Sequence, residues 1–346
     1  MQVQAMAAHN KSSALEPYNF TRRQPKPHDV QIKIEYCGIC HSDIHTVRDE
    51  WGGAVYPIVP GHEIVGKVLQ VGAKVTRFKP GDQVGVGCFV DSCRTCSPCR
   101  DGEEQYCEAG MTATYNAYER DGKTRTQGGY STGIVVDENY VLRIPEGLPL
   151  DRAAPLLCAG ITTYSPMKHF GLQPGQKLGV IGLGGLGHMA VQIGHAMGAH
   201  VTVFSSSEAK RASASALGAQ AYVHSQDQEA LQANMATFDL LINTVSAPID
   251  QTMYIQLLKK DGTMAIVGLP DQPTTFVPFP LVLQRRRIAG SLIGGIAETQ
   301  EMLDFCAQHN ISAHIETIPL RDVNIAYERI VHNDIQYRFV IDMSLD

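Results

Sequence analysis

A regular alternation of strand-like and helix-like segments begins near Lys177, and it restricts the fold more than any other feature of the 346 residues. Short apolar runs fit strands at 178–181, 201–204, 239–243 and 263–268, and helical patterns fit 186–197 and 208–217. Strands that alternate with helices along the chain usually form a parallel sheet with helices on both faces. The sequence therefore predicts an α/β, doubly wound domain over residues 151–294.

The part of the chain before residue 150 has a different pattern. Alternating stretches at 30–36 and 64–71 predict strands, and Gly/Pro-rich connections such as 79–82 separate them. After Gly295, Met302, Leu303, Phe305 and Cys306 indicate one short helix, and residues 318–340 have a strand-helix-strand pattern. We expect a mostly β domain built from residues 1–150 and 295–346.

Composition narrows the possible partners. The chain is 18% charged and 44% hydrophobic with a net charge of -6, which argues against nucleic acid, and the run 285–287 suggests a solvated or interface edge. Residues 1–13 lack a leader pattern, and no apolar run approaches the roughly 18 residues of a membrane span. We expect a cytoplasmic protein that binds neither membrane nor nucleic acid.

Four closely spaced cysteines indicate a metal site. Cys93, Cys96, Cys99 and Cys107 follow the pattern C-x2-C-x2-C-x7-C. Four thiolates in so short a loop suit a closed tetrahedral zinc site, which is structural because no coordination position remains free. The alternative is a pair of disulfides, which the odd total of nine cysteines and the chain length disfavour.

A second group of metal-binding residue types comes from three distant segments. Cys40, His41, Ser42, Asp43 and His45 lie within one short stretch, His62 and Glu63 in another, and Cys158 in a third. Two cysteines and one histidine would leave a zinc ion open to substrate. From the residues alone, Cys158 is better explained as apolar core, and His45 as a surface histidine.

A glycine-rich turn follows the first strand of the doubly wound domain. Between that strand and the next helix the chain has the pattern GxGxxG, formed by Gly182, Leu183, Gly184, Gly185, Leu186 and Gly187. Glycines in this context let the backbone approach a pyrophosphate at a helix N-terminus. The pattern predicts a dinucleotide site.

The residues after the second strand indicate which dinucleotide binds. An NAD enzyme places Asp or Glu there, whereas this chain has Ser205, Ser206 and Ser207, then Lys210 and Arg211. Hydroxyls followed by cations suit the 2′-phosphate of NADP. Ser205 with Glu208 also fits a capping box, which would need no ligand.

Several motifs together resemble a known family. The segment from Gly61 to Gly72, GHEIVGKVLQVG, followed by the four cysteines, resembles the zinc-dependent alcohol dehydrogenases of the medium-chain dehydrogenase/reductase superfamily. Residues 40–43, 156–164 and 290–299 resemble the cinnamyl alcohol dehydrogenase branch and its bacterial broad-range aldehyde reductases. The resemblance implies a GroES-like catalytic domain with a zinc lobe at about 88–110, and a Rossmann-type NADP-binding domain.

The resemblance also implies roles for individual residues. Cys40, His62 and Cys158 would bind the catalytic zinc, Glu63 would replace its water in some states, and Asp43 would orient His62. Ser42 and His45 would pass a proton to the substrate oxygen, while His41 and Thr162 would contact the cofactor. The substrate pocket is expected to be lined by Trp51, Cys88, Phe89, Leu292 and Ile293.

The expected function is zinc-dependent interconversion of aldehydes and primary alcohols with NADP(H), in a homodimer joined near residues 288–293. Cinnamyl alcohol dehydrogenase proper is one alternative. A non-enzymatic zinc-binding regulator is another, although it would leave the glycine-rich turn unused. A zinc-free quinone reductase of the same superfamily would lack Cys40, His62 and Cys158, so their presence argues against it.

Overall fold

The computed structural model describes residues 1–270 and 272–345 and divides into two compact units. One unit comprises Met1–Cys158 and the chain from Gly294 onward, and the other comprises Ala159–Ile293. The first unit thus continues beyond residue 150, where the sequence placed the boundary. The added turn Ala154–Leu157 is entirely buried, and Leu157 occupies the space where Gly85 has no side chain.

The first unit is mostly β, as predicted. Its strands are separated by tight turns and short helices, and β4 has the predicted bounds at both ends. In chain order the elements are β1 (Gln2–Ala7), β2 (Glu16–Thr21), β3 (Asp29–Gly38), α1 (His41–Val47), β4 (Ile64–Val71), β5 (Gln83–Val86), β6 (Phe89–Asp91), α2 (Ser97–Arg100), β7 (Thr112–Ala113), β8 (Gly133–Asp137), β9 (Leu142–Arg143) and α3 (Leu150–Ala153).

The second unit contains the predicted alternation of strands and helices. Its elements are α4 (Ala159–His169), β10 (Lys177–Ile181), α5 (Gly187–Ala196), β11 (His200–Ser205), α6 (Arg211–Ala216), β12 (Ala221–His224), α7 (Gln228–Ala233), β13 (Phe238–Asn243), α8 (Gln251–Leu257), β14 (Leu258–Ile266), α9 (Phe279–Gln284) and β15 (Arg287–Gly290). All six strands pair in parallel in the order β12-β11-β10-β13-β14-β15. This order reverses direction beside β10, as in dinucleotide-binding sheets, and the predicted fold class is confirmed.

The last part of the chain returns to the first unit. It forms α10 (Ile296–Gln308), β16 (Ile315–Ile318), α11 (Val323–Val331) and β17 (Arg338–Asp342), so the predicted strand-helix-strand pattern is present. The seven-stranded sheet of this unit has the order β16-β17-β3-β4-β5-β9, with β8 also paired to β3. Because β17 pairs with the end of β3, residues near the C-terminus lie next to the segment that leads into Cys40.

Among the described residues, no helix combines the length and the apolar character needed to cross a bilayer.

Candidate metal and cofactor sites

The four closely spaced cysteines converge on one point. The sulfur atoms of Cys93, Cys96, Cys99 and Cys107 all lie within 4.8 Å of one another, and Cys93 Sγ is 3.9 Å from Cys99 Sγ. A tetrahedral zinc with bonds of about 2.3 Å places its sulfur ligands about 3.8 Å apart, so the cluster fits the ion. All nine cysteines, each within the described residues, are free thiols, so the disulfide alternative is wrong.

Hydrogen-bond donors surround these thiols. Backbone N–H groups of Thr95 and Cys96 lower the pKa of Cys93 to about 5, which favours the thiolate. The Ser92 hydroxyl lies 3.2 Å from Cys99 Sγ and 2.8 Å from the Tyr140 hydroxyl. The thiolate is therefore favoured at Cys93, whereas burial raises the pKa of Cys99 to about 11.

A second cluster forms where three distant segments meet. Cys40 is the residue before α1, His62 lies just before β4, and Cys158 ends the buried turn Ala154–Leu157. One donor atom from each of them, and a carboxylate oxygen of Glu63, lie within 4.8 Å of one another, and all four residues are buried. Cys158 is thus part of a cluster of potential metal donors.

The thiol pair in this cluster is polarised. A hydrogen bond from Cys158 lowers the pKa of Cys40 well below its ordinary value, although burial opposes the shift. Two buried sulfurs and an imidazole at this spacing suit a zinc ion.

Asp43 connects two of these donors. Its Oδ1 accepts hydrogen bonds from His62 Nδ1 at 2.9 Å and from the Gly61 amide at 3.1 Å, and its Oδ2 accepts from the Cys40 amide at 2.9 Å and the Tyr130 hydroxyl at 3.1 Å. The bond to Asp43 occupies His62 Nδ1, which leaves His62 Nε2 for a metal.

Glu63 has a cationic partner that the sequence analysis missed. Its Oε1 accepts a hydrogen bond from Arg338 on β17, and both side chains are buried. Burial raises the pKa of Glu63 to about 7, and the positive charge of Arg338 opposes that rise. Glu63 Oε2 has no hydrogen-bond partner among the described residues, so this oxygen remains available to a cation.

The helix that follows Cys40 presents a row of polar groups. Ser42 Oγ lies 3.6 Å from Cys40 Sγ, and His45 Nδ1 contacts the carboxylate of Glu50. The His45 ring stacks on Trp51 with centroids 4.9 Å apart, and its centroid is 5.0 Å from that of His41. His45 therefore belongs to an organised group, unlike an isolated surface histidine. The sequence gave no signal for Glu50, because an exposed acid five residues away is common.

The glycine-rich turn has the geometry that its pattern predicts. Gly182 has a φ of +90°, which L side chains rarely adopt, and a Cβ at Gly187 would overlap the Gly182 carbonyl. Nothing lies within 4 Å of a Cβ built on Gly184, and α5 begins at Gly187. An open backbone surface before a helix N-terminus fits a pyrophosphate.

The segment after β11 corrects one alternative from the sequence. Ser205 is the last residue of β11, and the residue that precedes the next helical turn is Ser207, without a side-chain cap. The capping box of Ser205 with Glu208 is therefore wrong, because the strand extends one residue further than its apolar run.

The two cations of this segment differ in their partners. Lys210 Nζ donates to the Leu183 carbonyl of the glycine-rich turn at 2.8 Å. Arg211 instead pairs with Glu208, and its guanidinium lies 4.6 Å from the Tyr222 ring centroid. Lys210 is thus the cation that lies against the turn.

Comparison with known proteins identifies the family. A model of the alcohol dehydrogenase GroES-like domain matches residues 26–146, and a model of the zinc-binding dehydrogenase matches residues 185–308. NADP-dependent alcohol dehydrogenase C 1 of Mycolicibacterium smegmatis is 57% identical over 343 residues, 99% of this chain and 98% of that one. The chain belongs to the zinc-binding alcohol dehydrogenase family.

Two further members of the alcohol dehydrogenase family are closely similar. Aldehyde reductase YahK of Escherichia coli is 55% identical over 344 residues, 99% of this chain and 98% of that one. The structure of a cinnamyl alcohol dehydrogenase, SbCAD4 of Sorghum bicolor, superposes with a TM-score of 0.96 at 48% identity, covering 99% of this chain and 98% of that one. The resemblance drawn from the motifs is confirmed.

Other predicted residues of this alcohol dehydrogenase lie in separate units. Trp51, Cys88 and Phe89 belong to the first unit, where Trp51 is 48% exposed and Phe89 is buried. Leu292, Ile293 and Thr162 belong to the second unit, where Ile293 and Thr162 are buried. Their shared roles in a pocket or cofactor site remain predictions.

Proposed function

We propose that this protein is a zinc-dependent oxidoreductase that interconverts aldehydes and primary alcohols with NADP(H), as a broad-range aldehyde reductase. The observation that carries the proposal is the buried donor set Cys40, His62 and Cys158 beside Glu63. Three protein ligands leave one position of a tetrahedral zinc open to a substrate oxygen. Relatives named as an NADP-dependent alcohol dehydrogenase and an aldehyde reductase support the same chemistry.

The two units have different proposed roles. The first is the catalytic domain, and its lobe at Cys93–Cys107 holds the structural zinc. The second is the NADP-binding domain, in which backbone N–H groups of residues 182–187 hold the pyrophosphate. When bound, the catalytic zinc supplies a Lewis acid for the carbonyl, and NADPH supplies the hydride.

Two residues of α1 carry out the proposed proton transfer. Ser42 Oγ, 3.6 Å from the ligand atom Cys40 Sγ, donates a proton toward the substrate oxygen, and His45 replaces it from solvent. The contact of Glu50 with His45 Nδ1 holds the ring in place. Asp43 fixes the tautomer of His62 and takes no part in proton transfer, because four donors already use its oxygens.

Ser206, Ser207 and Lys210 select NADP. The Ser206 side chain is exposed at the end of β11, whereas Ser205 is buried. Their hydroxyl and ammonium groups donate hydrogen bonds to the 2′-phosphate, which a carboxylate would repel. His41, Thr162 and Arg211 complete the proposed cofactor contacts, with Arg211 the weakest because Glu208 already pairs with it.

The proposed substrates are aromatic and medium-length aliphatic aldehydes. The predicted pocket residues are largely apolar, and Trp51 presents an exposed ring stacked on His45. Cinnamyl alcohol dehydrogenase proper is the second candidate, which the likeness to SbCAD4 favours. A marked preference for cinnamaldehydes over aliphatic aldehydes would select that candidate.

The proposed assembly is a homodimer formed through the second unit. Its sheet ends at β15, an edge strand that natural proteins usually cover. The chain just before this strand carries an exposed apolar group, which we call the α9 patch: Leu269, Phe276, Val277, Phe279, Val282 and Leu283. Exposed patches of this kind mark protein interfaces. The proposed compartment is the cytoplasm, where zinc-binding thiols stay reduced.

Metal analysis combined with a cofactor-consumption screen tests the function. Two zinc ions per chain and NADPH oxidation by several aldehyde classes are expected. One zinc per chain with no NADPH turnover would support the zinc-binding regulator instead.

A further inference from the structure

Asp43 has a hydrogen-bond partner, Tyr130, that has no role in the proposed mechanism. Asp43 is fully buried, and four donors surround its two oxygens. Two donors are backbone amides and one is the zinc ligand His62. The fourth is the hydroxyl of Tyr130, a fully buried side chain 87 residues away in sequence.

We infer that Tyr130 is a positioning residue for the catalytic zinc, acting through Asp43 on His62 and Cys40. A carboxylate has about four acceptor sites, and each oxygen here receives two donors. Oδ2 accepts from the Cys40 amide and the Tyr130 hydroxyl, so loss of the phenol would remove one donor from the oxygen that also binds the Cys40 amide. Asp43 could then rotate, and the His62 ring would turn with it.

The backbone around Tyr130 supports this role. Amides of Gly128, Gly129 and Tyr130 donate to the carbonyls of Val59, Gly61 and Pro60 at 2.7, 2.9 and 2.9 Å. The segment that carries the phenol is therefore attached to the segment that leads directly into His62. Backbone hydrogen bonds thus fix the position of Tyr130 relative to His62.

Arg22 holds this segment from its other side. Its guanidinium donates to the carbonyls of Gln127, Gly128 and Gly133 at 2.6, 2.9 and 3.0 Å, and to Ser131 Oγ at 3.1 Å. The Arg22 guanidinium thus fixes the loop at 127–133 through four hydrogen bonds, all of them to uncharged oxygens. The path from Arg22 through Tyr130 and Asp43 ends at the zinc ligands.

Tyr327 provides a matched control. Its ring centroid is 6.3 Å from that of Tyr130, and its hydroxyl is buried but makes no hydrogen bond to Asp43. Tyr327→Phe therefore removes the same group from the same region without removing a bond to Asp43.

The test measures zinc release from the holoenzyme. An excess of chelator is added with iodoacetamide, and peptide mass spectrometry follows alkylation of Cys158 for the catalytic site and Cys99 for the structural site. Tyr130→Phe should speed alkylation of Cys158 about 10-fold, the lower end of the effect of outer partners on metal affinity. Cys99 should react at the wild-type rate, and Tyr327→Phe should leave both rates unchanged.

Three results would overturn the inference: a wild-type rate at Cys158 in Tyr130→Phe, equal acceleration at both sites, or the same effect in Tyr327→Phe. If Tyr130→Phe does not fold by circular dichroism, Arg22→Lys tests the link from its other end, with selective acceleration at Cys158 expected and equal or absent acceleration refuting it. The inference rests on the proposed catalytic zinc. One zinc per chain would refute that function, whereas two zinc ions per chain with unchanged release refute the inference alone.

Discussion

Replacing Ser206 by Asp should reverse the cofactor preference. Ser206 is exposed immediately after β11, at the position where NAD-dependent enzymes carry an acid. Ser205 is less suitable because its side chain is buried and a carboxylate there would lose solvation. The exposed site accepts the new charge without disturbing the core.

The size of the effect follows from two contributions. A charge-assisted hydrogen bond from the hydroxyl to the 2′-phosphate contributes about 1.5 to 3 kcal/mol, and its loss weakens NADPH binding by that amount. Repulsion between the new carboxylate and the phosphate adds about 1 to 2 kcal/mol in a solvated setting. Together they correspond to a roughly 70- to 5,000-fold weaker affinity for NADPH.

Titration of nicotinamide fluorescence gives dissociation constants for NADPH and NADH. Ser206→Asp should weaken NADPH binding and strengthen NADH binding, since the carboxylate accepts from the ribose hydroxyls. Ser215→Asp adds the same charge to an exposed position of α6 and should leave the ratio unchanged. An unaltered ratio in Ser206→Asp, or an equal shift in Ser215→Asp, would show that Ser206 makes no contact with the phosphate.

Four further substitutions test the remaining assignments. Cys158→Ser should abolish turnover and lose one zinc with the fold intact, whereas Cys99→Ser should mainly lower the melting temperature; equal loss of folding in both would contradict the two roles. Lys210→Met should weaken the binding of NADH as well as NADPH, because Lys210 also donates to the Leu183 carbonyl of the glycine-rich turn. Weaker binding of NADPH alone would show that this hydrogen bond does not shape the cofactor site. Val282 is 76% exposed in the α9 patch. The variant Val282→Asp should therefore be a monomer by light scattering, and a monomeric wild type would refute the dimer.

Local patterns predicted the parts of the fold that depend on neighbours in sequence. The strand at 64–71 was correct at both ends because its alternation is bounded by Gly61 and Gly72. The glycine-rich turn was found for the same reason, since a strand, a positive φ and a helix start occur within a few residues. Strand β12 was not assigned, because it has only four residues.

The capping box failed for a related reason. Ser205 and Glu208 have the right spacing, yet parallel pairing continues through Ser205, which lies opposite His224 in β12. Tertiary pairing thus extended the strand through the residue that local spacing placed at a helix start. Because β12 was not predicted, its pairing with Ser205 at the end of β11 could not be predicted either.

The two metal clusters show where sequence spacing stops being informative. Cys93 to Cys107 belong to one loop, so the short distances along the chain already allow the sulfurs to meet. Cys40, His62 and Cys158 meet only after β3, β4 and the turn Ala154–Leu157 have packed, and their grouping needed the family motifs. Arg338 is 275 residues from Glu63 and carries no motif at all. A buried carboxylate beside two thiols is stable only with such a cation or a metal nearby, so the catalytic site is electrostatically complete only once β17 has paired with β3.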